Sequence, residues 1–162
     1  DAWVEENFSS TDGVHTVEDL RAEYQKMLYQ NNLNTAVMDY LLANSTFKDL
    51  PKEVMDYQVN QCLNYYYTMA QHYGYDLDSF LQAAAGYNSA DDLLDAMSDS
   101  ITEYAREALL YQAVAEAMDI APTQEQIDTY SAYTETYGAN YCTMVALMDA
   151  VSEALTTGAQ VK

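Results

Sequence analysis

The longest hydrophobic pattern in the chain runs from Ser89 to Gln126. Its apolar residues recur every three or four positions, which is the repeat of an α-helix, so the pattern predicts one long helix with one apolar face. Ser89 followed by Asp92 resembles a capping box at the start of this helix, and Pro122 cannot continue it. A helix of about thirty residues is roughly 45 Å long. We therefore expect a central helix to which the other helices attach.

Five further segments show helical spacing, and the glycines and prolines fall at their boundaries. No run of residues alternates between apolar and polar as a half-buried strand does. The connections are short, which favours antiparallel neighbours. The sequence therefore predicts an all-α fold of six helices, at about residues 17–44, 51–73, 77–85, 89–121, 124–137 and 140–157.

The apolar face of the first predicted long helix weakens in its middle, at Asn31, Asn32 and Asn34. A helix that is polar there is either exposed or crosses a gap. The apolar positions before the interruption are Val17, Leu20, Tyr24, Met27 and Leu28, and those after it are Val37, Met38, Leu41 and Leu42.

Composition limits the function classes. Lys and Arg total 6 and Asp and Glu total 26, so the net charge is −20. Such a surface repels nucleic-acid backbones, and no apolar run approaches the roughly 20 residues that span a bilayer. A length of 162 residues is typical of one domain. Because the chain begins with Asp1 rather than Met, we expect a fragment or a processed product.

Catalytic and metal-binding patterns are not found in the sequence. Cys62 and Cys142 each lie within a helical pattern. The interpretation as two small buried residues is favoured over a disulfide, and whether they pair stays open. His15 and His72 belong to no metal-binding or catalytic motif. We therefore expect no metal, no cofactor and no catalysis by this chain.

Tyrosine and methionine are abundant, with 16 Tyr and 8 Met against 3 Phe. Three consecutive tyrosines at 65–67 span about 200° of a helix, so at least one is expected to be exposed or to contact a partner. The alternative for each residue is an ordinary core or boundary position. The candidate binding residues form two clusters: Tyr65, Tyr66, Tyr67, Met69 and Tyr73, and then Tyr130, Tyr133, Tyr137, Tyr141, Met144 and Met148.

An acidic stripe follows the long predicted helix at Asp91, Asp92, Asp95, Asp99 and Glu103. Their spacing places them along one edge of the helix. A solvated face is the favoured interpretation, and attraction of basic polypeptides is the functional alternative.

Four segments, in this order, resemble the C-terminal, substrate-binding domain of trigger factor. They are HTVEDLRAEYQKML (15–28), LLANSTFKDLPKEVMDYQVN (41–60), HYGYDLDSFLQAAAG (72–86) and AREALLYQAVAEAMDIAPTQEQIDTY (105–130). The opening DAWVEENF (1–8) resembles the stretch that follows the isomerase domain in that family. The resemblance implies a single helical domain over 1–162, with 1–15 a lead-in segment from a missing upstream domain.

The resemblance also implies an extended helical body whose projecting arms surround an open cradle. The expected function is that of an ATP-independent chaperone, whose Tyr- and Met-rich cradle binds unfolded or nascent polypeptides. The alternative is a non-catalytic dimerisation or bracing domain, and a homodimer is possible in either case. An FKBP-type peptidyl-prolyl isomerase domain, absent here, is expected in the parent protein. The family indicates a cytoplasmic location, and the alternative is export and attachment to the surface of a Gram-positive bacterium.

Overall fold

The computed structural model describes residues 1–8, 11 and 13–158. Ser9, Ser10 and Asp12 of the predicted lead-in segment lie outside the described residues, as does 159–162. Helices make up 80% of the structure and no strand occurs among the described residues, which confirms the all-α prediction. The α-helices found there are α1 (Ala2–Asn7), α2 (Val17–Ala43), α3 (Lys52–His72), α4 (Leu77–Phe80), α5 (Ala90–Ala96), α6 (Ser98–Met118), α7 (Gln124–Thr129), α8 (Thr134–Tyr137) and α9 (Ala139–Gly158).

Local side-chain hydrogen bonds define where α2 and α7 begin. Thr16 Oγ1 accepts from the Asp19 amide at 3.1 Å, and the Asp19 carboxylate accepts from the Thr16 amide at 2.8 Å. Thr123 and Gln126 make the equivalent pair of bonds at the start of α7. Each box satisfies amides that a helix leaves without intrahelical partners.

The predicted single long helix is wrong in one respect, because it is interrupted at Met97 between α5 and α6. Met97 has ψ near zero, and backbone hydrogen bonds still run from Met97 N to Leu93 O and from Ile101 N to Met97 O. At the start of α5, Ser89 accepts from the Asp92 amide, but the Asp92 carboxylate accepts from Asn88 instead of closing the box on Ser89.

The predicted helix over 124–137 is also wrong as a single element. It consists of α7, a 3₁₀ turn at Ser131–Tyr133 and α8. The tighter turn follows from hydrogen bonds that span three residues, from Tyr130 N to Ile127 O and from Tyr133 N to Tyr130 O. A π-helical turn, Leu81–Ala85, similarly extends α4 and ends at Gly86, which has a positive φ of 81°.

The chain divides into two compact units. Unit 1 contains 1–44 and 119–162, and in it α9 packs against α2, α7 and α8. Its buried residues are Val4, Val14, Met38, Cys142, Ala146 and Val151.

Unit 2 spans Ser45–Met118, and in it α3 packs against α4, α5 and α6. Its buried residues are Ala70, Phe80, Leu81, Leu93, Ile101, Ala105, Leu110, Tyr111 and Ala115.

Candidate functional site

The tyrosines of α3 divide between solvent and the interior of unit 2. Tyr65, Tyr67 and Tyr73 are 58%, 51% and 60% exposed. Tyr66 lies between two exposed neighbours and is partly buried, which is compatible with the rotation of about 100° per helical residue. We call the three exposed rings together the α3 tyrosine surface; Tyr65 and Tyr67 lie about 200° apart around the helix axis and therefore face different sides of it.

Tyr66 packs against one ring of this surface. Its ring meets Tyr65 edge-on, with the centroids 5.3 Å apart, and meets Tyr87 edge-on at 6.0 Å. Burial, together with hydrogen bonding to Tyr87, raises the pKa of Tyr66 to about 12. The Tyr66 phenol is therefore neutral at physiological pH. The remaining predicted residue of this set, Met69, lies about one turn further along α3 and is partly buried.

Tyr73 lies where α3 ends and covers an apolar side chain. Its ring stacks on Phe80 with the centroids 6.1 Å apart and the planes 8° from parallel. Phe80 is buried, whereas Tyr73 is largely exposed. One face of the Tyr73 ring is therefore fixed by packing, and the remainder of the ring is open to solvent.

Three further tyrosines cluster in unit 1. The ring centroids of Tyr133, Tyr137 and Tyr141 lie 4.7 to 6.5 Å from one another. Tyr133 is half exposed, and the other two rings are partly buried. These three rings form what we call the α8–α9 tyrosine cluster.

Two side chains of α9 hold the segment before this cluster in place. The Tyr130 hydroxyl donates a hydrogen bond to the Asp149 carboxylate. This hydrogen bond, followed by burial, raises the pKa of Tyr130 to about 12. The buried Cys142 thiol donates to the Tyr130 carbonyl at 3.2 Å and lies 3.4 Å from Thr134 Oγ1.

The two methionines predicted for unit 1, Met144 and Met148, are partly buried on α9. The structure brings the predicted residues together as two sets. The set from Tyr65 to Tyr73 belongs to unit 2, and the set from Tyr130 to Met148 belongs to unit 1. Their roles in binding stay predictions.

Exposed apolar side chains also occur outside the predicted clusters. Several of them, including Val17, Tyr24 and Met27, occupy helical apolar positions whose spacing predicts a buried face. Periodicity shows which residues share a face, but it does not show whether another helix covers that face. The additional large side chains are Trp3, Val17, Tyr24, Met27, Leu28, Tyr29, Tyr40, Tyr75, Tyr104 and Met118.

The predicted acidic stripe is exposed along its whole length, from Asp91 on α5 to Glu103 on α6. Hydrogen bonds from the Asn88 amide and side chain lower the pKa of Asp92, so this carboxylate is charged at neutral pH. The stripe therefore places a line of negative charge on unit 2.

The described residues contain no group of three or more His, Cys, Asp or Glu side chains suited to hold a metal ion. Cys62 is partly buried in unit 2, Cys142 is buried in unit 1, and both are free thiols. Within the described part of the chain, no helix is long and apolar enough to cross a membrane.

The fold and the exposed rings define an all-α domain that presents tyrosine-rich surfaces. The sequence model of the family "Bacterial trigger factor protein (TF) C-terminus" matches residues 16–155. The chain therefore belongs to the trigger factor C-terminus family, which implies a chaperone module, and the C-terminal domain of trigger factor is not itself catalytic.

Individual relatives agree with this assignment. The chain is similar to the trigger factors of Streptococcus pyogenes serotype M5 (strain Manfredo) and serotype M49 (strain NZ131). Each is 25% identical over 122 residues, which cover 71% of this chain and 28% of the relative. The matched part therefore covers less than a third of the length of these relatives. No solved structure matches the chain.

Proposed function

We propose that this chain is an ATP-independent chaperone module that binds unfolded or nascent polypeptide segments on surfaces formed by exposed tyrosines and partly buried methionines. The observation that supports this most is the α3 tyrosine surface. There, three aromatic rings are more than half exposed, and Tyr66 and Phe80 pack against two of them. Family membership supports the same function.

The chemistry of tyrosine suits a surface that must bind many sequences. The ring offers apolar area, and the hydroxyl keeps that area compatible with water when no client is bound. An unfolded segment also exposes peptide groups, which the hydroxyl can meet as donor or acceptor. Each ring contributes little to the free energy of binding, so a client must contact several rings. Binding does not require that the client have one particular shape.

Methionine adds adaptability in unit 1. The unbranched side chains of Met144 and Met148 can repack around different partners, and they lie on α9 after Tyr141. In the proposal, the α8–α9 tyrosine cluster and these methionines form a second binding surface. A single cradle that contains both sets of residues stays a prediction of the family resemblance.

Charge selects among clients in this proposal. The net charge is −20, and the acidic stripe adds exposed carboxylates to the same unit as the α3 tyrosine surface. Basic segments are attracted and acidic segments are repelled. Because screening shortens the range of this attraction to about 3 Å at 1 M salt, the binding of basic clients weakens as salt is added.

The isomerase domain expected in the parent protein and the cellular location stay proposals about the longer protein. For the chain itself, we propose that client binding requires no isomerase activity, because the proposed binding residues all lie within it. Nucleic acid is excluded from the proposed partners on the ground of charge.

The experiment is suppression of aggregation of a chemically denatured model protein, followed by light scattering. The test variant is Tyr65→Ser/Tyr67→Ser, which removes two rings of the α3 tyrosine surface. The matched control is Tyr40→Ser/Tyr104→Ser, which removes two tyrosines that are equally exposed but lie outside both clusters. Both variants keep the charge of the chain.

We expect the wild type to suppress aggregation at a few-fold molar excess. The test variant should need about fivefold more protein for the same effect, since two rings that each contribute about 0.5 kcal/mol to a contact together contribute about 1 kcal/mol. The control should behave as the wild type does. No suppression by the wild type at several-fold excess, or equal losses in both variants, would contradict the proposal.

A further inference from the structure

The segment before α9 contributes no buried residue to unit 1. It runs from the start of α7, through the 3₁₀ turn, to the end of α8, and we call these residues, 124–137, the strap. The structure describes every residue of the strap, and none of them is buried. Helices as short as α7 and α8, with six and four residues, are not stable in water on their own. The strap therefore depends on its contacts with α9.

Two side chains of α9 make hydrogen bonds to the strap. The Cys142 thiol, which is 2% exposed, donates to the Tyr130 carbonyl at 3.2 Å and lies 3.4 Å from Thr134 Oγ1. The Asp149 carboxylate accepts from the Tyr130 hydroxyl. A thiol is only a weak donor. The strap lies over the Cys142 thiol, so movement of the strap away from α9 exposes this thiol.

Aromatic packing adds to these hydrogen bonds. The Tyr137 ring of the strap packs on the Tyr141 ring of α9 with the centroids 4.7 Å apart, and Tyr133 meets Tyr141 edge-on at 6.5 Å. Tyr137 and Tyr141 are both partly buried. Part of the Tyr141 ring is therefore covered by the tyrosines of the strap and is not open to a client.

Gly138 joins the strap to α9 in a backbone conformation that suits a hinge. Its φ is 86° and its ψ is 161°, a combination that is essentially restricted to glycine. Hinges are a few residues at the ends of elements that absorb changes in backbone dihedral angles. The strap can therefore move away from α9 while α9 stays packed against α2.

We propose that the strap opens locally from α9, and that unfolded polypeptides bind the Tyr141 side of α9 that this opening uncovers. The inference rests on the proposed function and adds a closed state to its second binding surface. The client supplies apolar contacts in place of the Tyr133 and Tyr137 rings, so it competes with the strap. The strap is thus an autoinhibitory contact, because the apparent affinity for clients falls with the fraction of molecules that is open.

Reaction of the Cys142 thiol with a maleimide measures opening without any client. Cys62→Ser leaves Cys142 as the single cysteine of the chain. Tyr130→Phe removes the hydroxyl that bonds Asp149, and the matched control is Tyr40→Phe, an exposed position on α2. We expect labelling to be nearly independent of urea at low concentrations, because local opening exposes little surface. Labelling should be about fivefold faster in Tyr130→Phe and unchanged in Tyr40→Phe.

A disulfide that locks the strap tests its effect on clients. Thr134→Cys, made in the Cys62→Ser chain, places a second sulfur where the Thr134 hydroxyl lies 3.4 Å from Cys142 Sγ. Loss of free thiols on oxidation establishes that the bridge has formed. Aggregation of a denatured, cysteine-free model protein is then followed by light scattering with and without reductant. The Cys62→Ser chain is the control for the reductant itself.

We expect the oxidised, locked chain to need at least about twofold more protein for the same suppression of aggregation, and reduction to restore the original amount. Tyr130→Phe should act in the opposite sense and need less protein than the wild type, whereas Tyr40→Phe should need the same amount. If Tyr130 had only a structural role, Tyr130→Phe would suppress aggregation less well. This variant decides the question even where the disulfide does not form.

Two results would overturn the inference. One is labelling of Cys142 that depends on urea as steeply as global unfolding does, which would show that the strap does not open by itself. The other is a disulfide that forms and leaves the suppression of aggregation unchanged. That second result leaves the proposed function standing, whereas a chain that suppresses no aggregation contradicts both.

Discussion

Single residue steps along α3 decide which tyrosines are available for binding. Tyr65 and Tyr67 are exposed and Tyr66 turns inward, although the three are chemically identical and adjacent. The inward ring meets Tyr65 and Tyr87 edge-on, an arrangement that aromatic quadrupoles favour. The exposed ring of Tyr65 is therefore packed against the partly buried ring of Tyr66.

At the same scale, the hydrogen bond from Tyr130 to Asp149 predicts a pH dependence. The bond raises the pKa of Tyr130 from 10.0 to about 12, because it stabilises the protonated phenol. A pKa raised in the folded state contributes stability that is complete below pH 10 and is lost as the pH rises towards 12. We expect the free energy of unfolding to fall over this window, and to fall less steeply in Asp149→Asn.

Urea denaturation at a series of pH values measures this effect. Asp39→Asn is the control, since it removes an exposed carboxylate of the same unit. Tyr66 and Tyr141 also have raised pKa values, so part of the slope should remain in Asp149→Asn. Identical slopes for Asp149→Asn and the wild type would show that the carboxylate does not hold the phenol in solution.

At the scale of the element, short polar motifs define where helices begin. The Thr16 and Asp19 box starts α2, and the Asp1 carboxylate accepts from the Val17 amide at 3.1 Å. The Thr16 hydroxyl and the Asp19 and Asp1 carboxylates therefore accept hydrogen bonds from backbone amides at the N-terminus of α2. The next three turns of this helix are exposed to solvent. Caps matter more for such a helix than for one held by a core.

We predict that Thr16→Ala lowers the free energy of unfolding by about 1 kcal/mol, as is typical when a helix cap is lost. Urea denaturation provides the measurement. Thr143→Ala serves as the control, because Thr143 is exposed within α9 and caps nothing. An unchanged stability in Thr16→Ala would mean that α2 is held by contacts other than its cap.

The stability that Asp19 contributes through this cap is expected to decrease as the pH falls. Hydrogen bonds from Thr16 and from the His15 amide lower the pKa of Asp19 below its ordinary 3.8. A lowered pKa contributes stability that is present above pH 3.8 and is lost as the pH falls through the folded-state value. The free energy of unfolding of the wild type should therefore exceed that of Asp19→Asn above pH 3.8, and this difference should disappear as the pH falls below the folded-state pKa of Asp19.

At the scale of the whole molecule, the charge of −20 opposes the compact state. We predict that raising NaCl from about 0.05 M to about 0.5 M increases the free energy of unfolding, because the Debye length falls from roughly 14 Å to 4 Å. Few ion pairs oppose this trend, and those described, Lys26–Glu23 and Lys52–Asp56, are exposed and lie within single helices. Urea denaturation at both salt concentrations measures it, and a decrease in stability would contradict it.

The helical fold could be predicted from the sequence because its signals are local. Thr16, Gly86 and Thr123 mark helix ends through their own hydrogen bonds or backbone freedom, and the structure uses each of them in that way. The segment 124–137 could not be predicted in the same way. Its apolar spacing suits one helix, but its 3₁₀ turn accompanies the bonds that Tyr130 makes with Cys142 and Asp149 on α9.

The candidate site could be predicted from the sequence only in part, as the helices could. Helical rotation alone required that Tyr65, Tyr66 and Tyr67 should not all be buried. It did not indicate that Tyr66 would turn inward, because that depends on Tyr87, which lies beyond the π-helical turn. The exposed face of α2 at Tyr24 and Met27 was not anticipated, because its spacing is that of an ordinary buried face.

The sequence by itself determined the fold class, most helix boundaries and membership in the trigger factor C-terminus family, since these depend on caps, glycines and residue order. Only the tertiary structure decided which apolar faces are covered. Met27 and Met38 lie on the same face of α2, yet Met38 is buried and Met27 is exposed. The physical reason is that periodicity specifies a face, whereas burial requires a second element, and α9 is an element that packs against α2.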